Sequence, residues 1–286
     1  MQLGLRLPLG PDLKTLVAIA QKAETLGCDS VWVSDHLVWP TEIQSSYPYA
    51  EHGSLPVPPD TPFYDPLLTL AAIATSTTRL RLATGVFILP LREALAVARA
   101  VATLDSLSDG RVIFGVGIGW MKEEFVAAGA DFECRAERTD EMIESLRVLW
   151  GAEPHGYDGR FVRFSPLHLE PTPPQEGNVP IHVGGETPAA LERAARLGNG
   201  WISMQQTVDS ARRRIQRLET QRAVHARQSL PFEISVLIPW PATPELLEEY
   251  RLAGVSRALV YPWRGSDWDV DLDGVGTIIK RAGLTD

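Results

Sequence analysis

The chain has 286 residues, 44% hydrophobic and 22% charged, with a formal net charge of −9 and a pI near 5.2. So acidic an average argues against coating nucleic acid, which needs a basic footprint, and no stretch approaches the roughly 20 apolar residues of a membrane span. The start, Met1 to Pro8, has no basic leader ahead of an apolar run and no cleavage-like site, so a cytoplasmic protein is expected, with no nucleic-acid or membrane partner.

In chain order, residues 3–9 form a short apolar strand closed by Pro8 and Gly10. Leu13, Leu16, Val17, Ala20 and Ala23 then recur at helical spacing, and Gly27 ends that helix. Further strands are expected at 30–34, 80–89, 111–117, 179–183, 200–204, 232–239 and 257–261. Helical patterns separate or follow them near 66–76, 92–108, 135–150, 187–197, 207–228, 243–253 and 272–282. Eight strands, each followed by helix, predict an α/β fold: a (β/α)8 TIM barrel spanning 1–286 as one domain. A doubly wound open sheet is the alternative.

Two segments interrupt the rhythm. Residues 37–65 are rich in proline and aromatics, among them Trp39, Tyr47, Tyr49 and Phe63, and read as an ordered cover after strand 2. Before strand 5, Asp158-Gly159 between alternating residues reads as a β-hairpin. The basic run Arg212, Arg213, Arg214 and Arg217 reads as a solvated helix face. Cys28 and Cys134 lack metal or redox spacing and read as packing residues, so no metal site is expected.

Barrel enzymes place their chemistry at the C-terminal ends of strands. Four unusual segments fall there. Strand 2 ends in Asp35-His36, and His36 is the acid–base candidate, with Asp35 either orienting it or bonding loop amides. Strand 3 carries Gly85-Val86, where an interior glycine marks a bulge or a close approach to a ligand. Strand 4 runs out through Gly115, Gly117 and Gly119 to Trp120, a run that leaves room for a flat ring. Strand 5 gives Gly184-Gly185-Glu186-Thr187-Pro188 before a helix, an arrangement that offers backbone N–H groups to a phosphate.

At these residues, with the run 102–120 the most specific and 23–36, 84–90, 115–125 and 181–201 in support, the sequence resembles the luciferase-like monooxygenase superfamily. It is most similar to the branch of F420 (deazaflavin)-dependent oxidoreductases. The resemblance implies a cofactor ring at the barrel mouth, its phosphate near Gly184-Gly185, and a non-prolyl cis peptide at Gly85–Val86 behind the ring. It also implies an acid–base or substrate-orienting role for His36. Trp120 stands where the sugar-phosphate dehydrogenase relatives carry an acidic residue, and Trp39 is offset from their tryptophan. Both departures argue against sugar-phosphate oxidation and suggest a more apolar substrate pocket.

The expected function is therefore hydride transfer between coenzyme F420 and a small organic substrate. The alternatives are an FMN-dependent monooxygenase fed by a separate reductase, and a barrel that binds a flavin or deazaflavin without turnover. A homodimer is expected, because the helix at 92–107 is apolar around most of its circumference: Ala94, Leu95, Ala98, Val101, Ala102 and Leu107, with Ala96, Val97 and Ala100.

Overall fold

The computed structural model describes residues 1–286 apart from 51, 54–56, 59, 176–177, 265–267 and 285–286. Eight parallel strands close a barrel: β1 (Gln2–Arg6), β2 (Ser30–Val33), β3 (Arg81–Thr84), β4 (Val112–Gly117), β5 (Ile181–Gly184), β6 (Gly200–Ser203), β7 (Glu233–Leu237) and β8 (Arg257–Val260). Each strand pairs with the next, and β1 closes the ring against β8 with Gln2 opposite Arg257. The third strand expected at 80–89 is broken. It stops at Thr84, passes a cis peptide at Gly85–Val86, and resumes over Phe87–Ile88 beside Val116 and Gly117.

The helices are α1 (Leu13–Leu26), α2 (Pro66–Ala74), α3 (Ala94–Leu107), α4 (Lys122–Ala127), α5 (Arg135–Leu149), α6 (Pro188–Leu197), α7 (Val208–Val224), α8 (Pro244–Leu252) and α9 (Trp268–Arg281). Their starts are written locally. Asp12, Asp65, Thr187, Thr207 and Thr243 each accept a hydrogen bond from a first-turn amide, and Pro66, Pro188 and Pro244 occupy first-turn positions where a missing N–H costs nothing. Gly27 ends α1 at φ 93°, a left-handed conformation that other residues avoid. The short α4 had no counterpart among the expected elements; its six residues are too few to show a helical period. The hairpin before β5 is present, with Tyr157–Asp158 antiparallel to Arg163–Phe164.

Alternate strand residues point inward and stack in layers. The floor is polar. Arg257, fully buried, donates to Asp29 and Glu233 at 2.6 Å each, and to Gln2 at 2.7 Å, while His182 lies beside Glu233. Above it Trp32, Ala83, Ile113, Ile202 and Leu259 fill the middle. Arg6, Ser34, Gly85, Gly117, Gly184 and Met204 border the cavity at the top. Outside the barrel, Cys28 is a buried packing thiol, pushed up to about 12 by burial. Among the described residues no helix is long and apolar enough to cross a membrane.

Candidate active site

A cavity of about 600 Å³ opens at the C-terminal end of the barrel, within the range of small-molecule and cofactor sites. All four segments singled out in the sequence reach it. Asp35, His36, Gly85, Val86, Gly117, Gly119, Trp120, Gly184, Gly185, Glu186 and Thr187 border it. The segment after β2 is an ordered cover where it is described, for Tyr47, Tyr49 and Phe63 complete the wall. Two carboxylates at the start of α4 hold this cover. Glu123 accepts from the Gln44 and Ser45 amides, and the Lys122 amide donates back to the Ser45 hydroxyl.

The second carboxylate, Glu124, is fully buried and was invisible to sequence reasoning. Its Oε1 accepts from the Leu37 amide at 2.5 Å, and its Oε2 lies 3.0 Å from His36 Nδ1. A carboxylate on Nδ1 fixes the proton there, orients the ring and leaves Nε2 for the cavity. His36 is further boxed by ring edges from Trp39, Phe63 and Trp120, with centroids 5.1, 5.4 and 6.0 Å away.

Asp35 does not serve this purpose. Its carboxylate takes a bidentate contact from Arg92 at 2.6 and 2.7 Å and the Ile88 amide at 2.8 Å, so it bonds the β3 bulge instead of orienting His36. Burial pushes its carboxyl upward, against the pull of the Arg92 charge. Trp39 is displaced as well: it stacks on Phe63 behind His36, and Phe63 and Trp120 take the places on the cavity wall.

The glycines are small for a different reason than the sequence implied. A Cβ on Gly117 or on Gly184 would lie 2.5 Å from a Val86 methyl, so Val86 is wedged between them. Gly85 makes room for the Trp32 ring, 3.1 Å from where its Cβ would stand. Gly119 and Gly185 have φ of 78° and 118°, a backbone region that requires glycine. The surface this wall presents to the cavity is therefore Val86 more than bare backbone.

The start of α6 also differs. Thr187 caps the Ala190 amide and the Gly185 amide donates to the Ile202 carbonyl, so fewer amides are free than expected. Glu186 turns its carboxylate to the Ser203 hydroxyl, the Met204 amide and Arg214, a strut that would repel a phosphate rather than bind it. Arg214, from the run read as a solvated face, thus reaches the rim of the site. Arg135 and Arg193, not foreseen, supply positive charge to the wall; Arg193 is ion-paired with Asp140.

The sequence model of the luciferase-like monooxygenases matches residues 2–273. The chain belongs to this family. An uncharacterized protein of Mycobacterium tuberculosis is 34% identical over 255 residues, covering 88% of this chain and 89% of its own. The F420-dependent hydroxymycolic acid dehydrogenase of the same species is 34% identical over 203 residues, 69% of this chain and 51% of its own. Among solved structures, an F420-dependent secondary alcohol dehydrogenase in complex with an F420-acetone adduct superposes with a TM-score of 0.80 at 17% identity, over 98% of both chains. Family and relatives together make this luciferase-like barrel an oxidoreductase in general kind.

Proposed function

We propose that the protein uses coenzyme F420 to exchange a hydride with a small organic substrate at the barrel mouth. The observation that carries this reading is the buried Glu124–His36 pair on an otherwise largely apolar cavity. The F420-dependent relatives support the choice of coenzyme. The residues present fit such a group. Val86, held between Gly117 and Gly184 and backed by Gly85, gives a flat apolar wall, and Gly119 lets the chain turn beside it. Arg135 and Arg193, across from the Gly184-Gly185 turn, would hold the phosphate, with the Glu186 carboxylate tied back to Ser203, Met204 and Arg214.

The deazaflavin, when bound, supplies or accepts the hydride. His36 manages the proton: Nε2 takes it from an alcohol oxygen as a carbonyl forms, or returns it in the reverse direction. Glu124 keeps the Nδ1 proton in place and stabilises the imidazolium that results. The cover residues Tyr47, Tyr49 and Phe63 exclude water from that exchange.

Equilibrium binding of F420 and of FMN, followed by fluorescence of the purified protein, tests the reading. F420 should bind and FMN should compete poorly. Preferential binding of FMN, with oxygen-dependent turnover once a reductase is added, would replace it with the monooxygenase reading. Tight F420 binding without reduction of any substrate across a broad panel would leave a binding protein.

A further inference from the structure

The charged groups around the cavity are nearly all neutralised by the chain itself. Asp35 is held by Arg92, Glu186 by Arg214 and Arg193 by Asp140. Arg135 donates to the Gly119 and Phe132 carbonyls and lies over the Phe132 ring. Arg6 is the exception. Among the described residues its side chain donates only to the Ser34 hydroxyl, at 2.9 and 3.3 Å, and to the Met204 thioether at 3.4 Å. Among the described residues no carboxylate lies within ion-pair distance of it.

Structural arginines in this chain look different. Arg257 carries two carboxylates, and Arg111 donates to three backbone carbonyls and a hydroxyl. A half-buried guanidinium left with a hydroxyl and a thioether pays desolvation for little return, since sulfur is a weak acceptor. Such a site is completed by an incoming anion.

Its place decides which anion. Arg6 ends β1, which stands four strands from β5 in the ring of eight, on the opposite wall from the α6 start. It adjoins β2, whose end delivers Ser34 and His36. Resting on the coenzyme reading above, we propose that the substrate bears a carboxylate, gripped by Arg6 and the Ser34 hydroxyl, with its reacting carbon beside His36. A planar monoanion matches a guanidinium fork, and one cation with one hydroxyl falls short of what a phosphate dianion would demand. Phe63, Trp120, Ile202 and Met204 receive the apolar remainder of the molecule.

Hexanoate and its neutral counterpart hexanamide are the probes, titrated against the protein with and without F420 and read by tryptophan fluorescence. Hexanoate should bind about tenfold tighter or more, as a charge-assisted pair requires. Arg6→Gln should abolish that preference, Arg6→Lys should keep part of it, and neither should change F420 affinity. If Arg6→Gln does not fold, Arg6→Met, which retains the stem, takes its place. Equal binding of acid and amide by the wild type overturns the proposal, as does a preference that survives loss of the arginine. Tighter binding of hexyl phosphate than of hexanoate overturns the carboxylate assignment, and weakened F420 binding in Arg6→Gln moves the residue to the coenzyme. Should F420 fail to bind while the hexanoate preference holds, the coenzyme reading falls and the anion anchor stands.

Discussion

A histidine at a strand end becomes a directed proton carrier only when something fixes its ring, and here Glu124 does so from 88 residues away in sequence. His36→Ala should leave F420 affinity unchanged and slow turnover by about 10²-fold or more; turnover equal to wild type would remove the imidazole from the chemistry. Glu124→Gln should cost roughly 10- to 100-fold in kcat with little change in KM, the usual range for a group acting through its neighbour. A kcat equal to wild type would make Glu124 a purely structural residue. His36 was readable because its chemistry and its position at a strand end are local facts. Glu124 was not, since one glutamate in an acidic chain has no mark until the fold brings it to the imidazole.

At the scale of elements, the strands and most helices follow from period, caps and turn residues, and the departures occur where an element answers to a distant group. Arg92 was expected inside α3 but stays extended at its entrance, where it grips Asp35. The α4 clamp on the cover belongs to this scale. Glu123→Ala should preserve the barrel and speed amide hydrogen exchange at Gln44 and Ser45, the two amides it receives; unchanged protection would mean that other contacts hold the cover. Helix α3 divides more sharply than its composition suggested. Val97, Ala98, Val101, Ala102 and Leu104 are buried against the barrel, whereas Leu95, Ala96, Ala100 and Leu107 face outward.

For the whole molecule, that outward face next to exposed Leu68 of α2 supports our proposal of a homodimer. Light scattering at micromolar concentration should give twice the protomer mass, and Ala100→Glu should reduce it to one. A charge at Ala98 would instead test the protomer's own core, because Ala98 is fully buried. The polar floor makes a second global prediction. His182 is held well below its ordinary value of 6.5 by burial first, then by the Arg257 and Arg81 charges, with the Glu233 carboxylate 3.7 Å from Nε2. The unfolded chain therefore binds a proton near pH 6.5 that the folded barrel refuses, so stability is full above that pH and declines as pH falls below it, by up to about 1.4 kcal/mol per pH unit. Urea midpoints measured from pH 7.5 to 5.5 should show the decline, and His182→Gln should flatten it. Equal slopes in the two proteins would assign the loss to other groups.

The sequence by itself determined the barrel, its eight strands, the family, and the four strand ends that make the mouth. Those features rest on interactions within a turn or two: alternation, helical period, capping side chains and glycines at left-handed positions. What fills the mouth was decided by tertiary structure. Val86 occupies the space the glycines vacate, Asp35 binds Arg92 while Glu124 takes His36, and among the described residues Arg6 is left with neither carboxylate nor carbonyl. Pairings between charges depend on which strand neighbours which across the closed ring. That proximity is a property of the barrel, and no segment carries it alone.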